Sequence, residues 1–207
     1  MKRVPLLILF AASLLVLAVG LVGTADRGTA KSARASAVCG VERWPVKTLS
    51  DSKVGRVSFK PKDTSITTLR AKTAPHVGPT TPRIDGVETT TYQVRAKLIE
   101  FAKEDDHDIH LVVGSLSSPA KTMIVEFPDT TCPGARSSPK KAQMKSARKA
   151  LVTACGAPSS SFHHLDGTAT IMGVGFFDIK HGQNGLAPNG IELHPALGFR
   201  KATCSSQ

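Results

Sequence analysis

The chain has 207 residues, with 27 Lys and Arg against 16 Asp and Glu, a formal net charge of +11. A positive excess of this size favours polyanionic partners: nucleic acid, an anionic cell-envelope polymer or a membrane surface. Eight Phe, one Tyr and one Trp offer few stacking platforms, which counts against sequence-tolerant binding of single strands; no internal repeat, coiled-coil heptad, Walker-type phosphate loop or Gly-x-Ser-x-Gly elbow is present.

Met1-Lys2-Arg3 is a positive start, Val4–Val22 is an uncharged apolar run of 19 residues, and Gly23-Thr24-Ala25 supplies small residues before Asp26. This order predicts a secretory signal peptide over residues 1–25, cleaved after Ala25. The protein is then secreted or periplasmic, without stable membrane insertion. The same run is long enough to serve as an uncleaved anchor, since about 20 residues span a bilayer. Cleavage takes away Lys2 and Arg3 and no acid, which leaves +9. Residues 26–40 (DRGTAKSARASAVCG) read as a flexible leader of small and polar residues.

The four cysteines, Cys39, Cys132, Cys155 and Cys204, all lie beyond the signal. An even number in an exported chain predicts two disulfides. Cys132 and Cys155 flank the one convincing helix, and Cys39 and Cys204 bracket the folded region. Position therefore favours the pairs Cys132–Cys155 and Cys39–Cys204. No spacing is C-x-x-C, so neither a zinc ribbon nor a redox motif is indicated.

Residues 41–85 combine WPVKTL, short β-branched runs and a Pro/Thr-rich tail, and read as an irregular arm packed across the main domain. The main domain spans residues 86–204. Thr89–Phe101 alternates apolar with charged residues, as a half-buried strand does. After the charged turn KEDDHD, Ile109–Val113 and Lys121–Phe127 give two more strands. Ser138 as N-cap and Pro139 at the first helical position open a helix that Gly156 closes. Ala142, Met144, Ala147, Leu151 and Val152 are its expected buried stripe, and Lys140, Lys141, Lys145, Arg148 and Lys149 make it basic. Ala157–Asp166 reads as a polar linker, and Thr170–Asp178 and Ile191–Phe199 as the last strands. Three strands, a helix and two strands are the order of a mainly β, five-stranded OB-fold barrel with one helix between strands three and four. The expected state is a monomer.

The loop HGQNGLAPNG, between the last two strands, holds three Gly, two Asn and a Pro in ten residues. Such residues supply turn and left-handed conformations, so the loop is expected to be ordered. Around it stand Asp178, His181, Glu192 and His194, groups that bind protons or metals or satisfy buried backbone. Asp108 and His110 are one alternation apart on strand two and point to one face. With His181, His194 and Glu192 they form a candidate His/carboxylate ligand set. Runs of charge in a tight turn are also the ordinary mark of a solvated hairpin, the alternative reading of KEDDHD.

From Trp44-Pro45-Val46-Lys47-Thr48-Leu49 to Phe199 the chain resembles a set of exported bacterial proteins that share DIHLVV, TMIVEFP, GVGFFD, HGQ-x-G-x-APN and IELHP. A second resemblance is to the thermonuclease-like OB-fold nucleases, on Asp106-His107-Asp108 in the turn between strands one and two and Glu126-Phe127-Pro128-Asp129 at the end of strand three. It implies calcium or another divalent cation held by Asp106, Asp108 and Glu126, beside an attacking water. Lys121 stands where that family has its first arginine, Phe127 replaces the motif's Thr, and the second arginine has no counterpart. Three functions are therefore expected in order: a binder of nucleic acid or another polyanion through Lys141, Lys145, Arg148 and Lys149; a metal-dependent phosphodiesterase using Asp106, Asp108, Glu126 and Lys121; and a structural or envelope-interaction protein without catalysis.

Overall fold

A computed structural model describes residues 39–40 and 42–206. The expected signal peptide and the leader up to residue 38 lie outside the described residues. Among the described residues no helix is long and apolar enough to cross a membrane. The elements are α1 (Trp44–Lys47), a 3-10 turn at Val54–Arg56, β1 (Ser58–Thr64), α2 (Ile66–Arg70), β2 (Thr90–Lys103), β3 (Ile109–Ser115), β4 (Ser118–Phe127), α3 (Lys141–Cys155), β5 (His163–Phe177) and β6 (Ile191–Ser206).

Six strands form one sheet in the order β1-β2-β3-β4-β6-β5, and β5 also pairs with β2, so that all but β1 close a ring. One side of β2 is covered by β5 from Thr91 to Phe101. Its other side is shared, by β1 along Thr90–Val94 and by β3 along Ala96–Lys103. Neighbours run antiparallel except at β1–β2 and β4–β6, which are parallel. The strand predicted over Thr89–Phe101 is thus the spine of the sheet. Its alternation places Val94, Ala96 and Leu98 in the core, with Leu111, Val113, Met123, Val125, Ile171, Leu193 and Phe199 from the strands around it.

The basic helix forms as α3, but two residues later than Ser138-Pro139 predicts. Ser138 Oγ accepts from the Lys140 amide and lies against Leu49 O, so the serine stabilises a turn before the helix instead of capping it. The buried face is Met144, Ala147, Leu151 and Cys155; Ala142 is exposed and Val152 half-buried. Gly156, at φ 87°, ends the helix as expected. His163 and His164, expected in the linker, begin β5.

Two expectations need correction. The arm is not irregular: β1 occupies the stretch of β2 edge that β3 leaves free, and α2 sends Ile66 and Leu69 into the main core. Each of those two fully buried side chains contributes roughly 1.5–3 kcal/mol of apolar burial. β1 escapes pattern reading because five of its seven residues are exposed and it carries Pro61, which only an edge strand tolerates. The disulfides are Cys39–Cys132 and Cys155–Cys204, with Cα separations of 5.8 and 5.2 Å. Cys155 closes a 15-residue helix that Cys132 precedes. Such a helix is about 22 Å long, too far for a disulfide to reach across it. β6 packs along α3 instead and brings Cys204 to Cys155.

Candidate metal centre

β3, β4 and β6 carry their acidic and imidazole residues to one end of the sheet. In register, His110 is opposite Glu126 across β3–β4, and Glu192 is beside Ile124 across β4–β6. The turn Glu104–Asp108, the loop 179–190 and the segment before α1 build the rest of the wall. They enclose a pocket of about 280 Å³. Among the described residues, eight carboxylates line it (Glu42, Glu104, Asp105, Asp106, Asp108, Glu126, Asp178 and Glu192) against one lysine, Lys47, and three histidines. On a chain of net charge +11 this is a local reversal of sign, and it gives the pocket a lining that suits cations.

His110 sits at its centre. Its Nε2 meets the Asn184 carbonyl at 2.9 Å, an acceptor from the HGQNG loop, which leaves Nδ1 facing carboxylates. Glu126 Oε1 is 2.8 Å from Nδ1 and Glu104 Oε1 is 3.1 Å. One ligand atom from each of Glu104, His110 and Glu126 falls within 4.8 Å of the others. Neighbouring ligands in an octahedral site with bonds of about 2.1 Å are about 3.0 Å apart, so this trio has the spacing of a cation site. A histidine whose second nitrogen is held by a backbone carbonyl is also the usual arrangement of a metal ligand. Phe162 meets the ring edge-on at a centroid distance of 5.3 Å.

The loop is ordered by its own side chains, as its composition predicts. Gly182, Gly185 and Gly190 all have positive φ, and a Cβ on Gly185 would lie 2.4 Å from Val112. Asn189 donates to the carbonyls of Leu69 and Lys72, which ties the loop to the end of α2. The Asn184 carbonyl is therefore a fixed acceptor for His110.

Deeper in the pocket, Asp108 Oδ1 accepts from the Asp129 amide at 3.0 Å and Asp106 Oδ1 from the Asp108 amide at 3.1 Å. His194 Nε2 is 3.6 Å from Asp108 Oδ2 and Nδ1 is 3.8 Å from Glu192 Oε2, contacts too long for hydrogen bonds. Asp108 Oδ2, Glu126 Oε2, Asp178 Oδ1, Glu192 Oε2 and both nitrogens of His194 are buried without any hydrogen-bond partner. Buried polar atoms ordinarily have partners, so such a concentration makes this pocket the candidate ligand site among the described residues.

The electrostatics agree. Burial alone would lower the His110 imidazole, but the charge of Glu126 and the hydrogen bonds of Glu104 and Glu126 outweigh it and lift the pKa to about 11. His194 rises to about 9, burial again being overcome by Asp108 and Glu192. Burial pushes Glu126 up to about 7 and raises Glu192 as well. Glu104 moves the other way: its hydrogen bond to His110 outweighs partial burial and holds its carboxyl below the usual range, so the group pairs an ionised Glu104 with a protonated His110. Lys47 is held above its ordinary range, burial being outweighed by Asp178, Glu192 and Glu126, and its Nζ is 3.3 Å from Asp178 Oδ2.

Of the residues singled out in the sequence, Asp106, Asp108, His110, Glu126, Glu192 and His194 meet in this pocket, with exposed His181 on its wall. Lys121 does not. It is exposed and borders a separate depression with Thr67 and Arg70. Five residues of extended strand, about 17 Å, separate it from Glu126, so the catalytic role expected of it is withdrawn. Arg148 is also corrected: its guanidinium donates to Phe127 O and, at 2.6 Å, to His107 O, so it braces the pocket's two strand ends and is not free for a polyanion. Lys141, Lys145 and Lys149 are exposed on α3, outside the pocket. Sequence reasoning missed Glu104, hidden in a charge run that resembles a solvated turn, and Lys47, which comes from the arm. Comparison with protein-family models, with characterised proteins and with solved structures gives no match.

Proposed function

We propose that the protein is a divalent-cation-dependent phosphodiesterase that acts on nucleic acid outside the cytoplasm. The observation that carries this reading is the convergence, in one acidic pocket, of Glu104, His110 and Glu126 with buried donor atoms that lack partners. The closed ring fits an OB-type barrel, since its order β2-β3-β4-β6-β5 with β4 parallel to β6 places α3 between the third and fourth strands. The mouth of such a barrel is where the resemblance to thermonuclease-like enzymes locates cation chemistry.

Glu104, His110 Nδ1 and Glu126 would hold the ion. A bound divalent cation polarises a phosphoryl oxygen and lowers the pKa of a coordinated water. Lys47, the single ammonium on the wall, faces the same space and suits the negative charge that develops on the phosphoryl oxygens. The Asn184 carbonyl fixes the His110 tautomer, and Arg148 holds the backbone of Phe127 and His107 that frames the carboxylates. The exposed lysines of α3 supply a sequence-independent attraction for the polyanion.

The test is cleavage of DNA and RNA by chelator-treated protein to which calcium, magnesium, manganese or zinc is returned singly. Activity is expected with at least one ion and none with chelator. Glu126→Gln, which keeps the shape and removes the charge, is expected to lower turnover by about 100-fold or more. Intact substrate with every ion would refute the reading and leave a polyanion-binding protein.

A further inference from the structure

The pocket contains more uncompensated donor capacity than one ion at Glu104, His110 and Glu126 uses. Asp108, Glu192 and His194 are 1%, 2% and 3% exposed, and Asp108 Oδ2, Glu192 Oε2 and both His194 ring nitrogens have no hydrogen-bond partner. Asp108 cannot turn to find one, because its Oδ1 is anchored by the Asp129 amide. The His194 ring packs edge-on against Phe176 at 5.6 Å between centroids.

We propose that Asp108 Oδ2 and His194 Nε2 are ligands of a second cation in the pocket, with Glu192 orienting the imidazole through Nδ1. The Asp108–His194 separation of 3.6 Å is too long for a hydrogen bond. Two ligands with bonds of about 2.1 Å at a tetrahedral angle are about 3.4 Å apart, which is close to it. The geometry repeats the logic of the first group. There, one His110 nitrogen faces carboxylates while a carbonyl secures the other. Here, Nε2 faces Asp108, and the Glu192 carboxylate, 3.8 Å from Nδ1 and not hydrogen-bonded to it, is the group placed to close on Nδ1 once Nε2 holds an ion, which would complete a carboxylate–histidine–metal arrangement.

Asp108 immediately precedes β3 and His110 is its second residue, so one end of this strand serves both groups. Glu126 keeps Oε2 without a partner in the same pocket, a further donor. Imidazole together with carboxylate suits zinc, cobalt or manganese better than calcium, which takes oxygen ligands alone. Paired ions are a common device of phosphoryl-transfer sites, where they embrace the attacking and leaving oxygens. The inference rests on the reading of the pocket as a cation site, but not on hydrolysis.

Metal-free, disulfide-intact protein would be titrated with cobalt and then zinc, with stoichiometry from calorimetry and equilibrium dialysis and coordination from the visible cobalt bands. Two ions per chain are expected. Asp108→Asn and His194→Gln should each reduce this to one, with Glu126→Gln removing the other. Glu192→Gln retains both donors and is expected to weaken one ion by about 10–100-fold. Circular dichroism identifies any variant that fails to fold, and the wild-type stoichiometry and Glu192→Gln then decide. A single ion on the wild type, or two ions on folded Asp108→Asn and His194→Gln, would overturn the second site and leave Asp108 and His194 as hydrated groups. No cation at all would overturn the cation reading of the whole pocket. One ion with cleavage intact would remove this inference alone.

Discussion

The joint between arm and ring yields the sharpest stability prediction. Arg43 precedes α1 and is buried, and its guanidinium meets the Glu88 carboxylate through two hydrogen bonds of 2.9 and 2.7 Å. Arg43 also donates to the carbonyls of Thr81, Pro82 and Phe177, while Glu88 accepts from the amides of Ile84 and Phe177. Both side chains are 0% exposed. Glu88→Gln keeps the volume but strands a buried guanidinium, and removing one partner of such a pair costs about 3–5 kcal/mol. Against a total stability of roughly 5–15 kcal/mol, that is a large share. At about 2–4 °C per kcal/mol for a domain of this size, the melting temperature should fall by about 6–20 °C. The assay is urea unfolding of disulfide-intact protein, checked by thermal melts. Arg43→Met with Glu88→Gln should be less damaging than Glu88→Gln alone, because no bare charge remains. A loss below about 1 kcal/mol for Glu88→Gln, or additive losses in the double variant, would refute the reasoning.

The cation-free protein should lose stability as pH rises. His110, His194 and Glu126 bind protons more tightly folded than unfolded, so the Glu126 contribution drains away up to about pH 7 and the histidine contributions as pH passes about 9 and 11; urea midpoints at fixed salt from pH 5 to 10 check this, and rising midpoints would contradict it. Non-reducing peptide mapping should recover Cys39–Cys132 and Cys155–Cys204, and the double substitution Cys39→Ser, Cys132→Ser should lower stability by about 2–5 kcal/mol while weakening cation binding, because Cys39 and Gly40 line the pocket. Reversing Lys141, Lys145 and Lys149 to Glu should weaken DNA binding and flatten its salt dependence without altering cation affinity; unchanged DNA binding would place the polyanion face elsewhere. Arg148→Met should act chiefly on stability, by about 1–3 kcal/mol, because it leaves the carbonyls of Phe127 and His107 without their donor.

The ring was legible because its strands announce themselves: β2 alternates, and β3 and the end of β4 are continuous apolar runs bounded by turns. The loop 179–190 was legible from its Gly and Asn content, and Asp108, His110 and Glu126 from alternation and position. Whatever depends on distant pairing was not. β1 is a polar edge strand whose existence is decided by a vacant length of β2, and Lys47 reaches the pocket through long-range ties such as Arg43–Glu88 and the Cys39–Cys132 disulfide. The disulfides failed for the same reason, since sequence proximity to a helix says nothing about which strand packs beside it. The linkage of His194 to Asp108 joins residues 86 apart in sequence, and only the parallel pairing of β4 with β6 brings the two ends together.

The charge distribution bears on how such a protein meets its ligand. On the proposed reading a net charge of +11 would draw polyanions to the molecule, yet eight carboxylates around the pocket would repel a phosphate from the place where chemistry would occur. The two facts are compatible if the pocket is first filled by cations. Two divalent ions would add four positive charges and, with Lys47, offset five of the eight carboxylate charges, which would lower the barrier and offer metal coordination positions to a phosphoryl oxygen. On this argument cation binding and nucleic-acid binding are linked: each should tighten the other by the same factor. On the same reading the exposed lysines of α3 would set the salt dependence of the encounter, and the carboxylates would make its final step conditional on the metal.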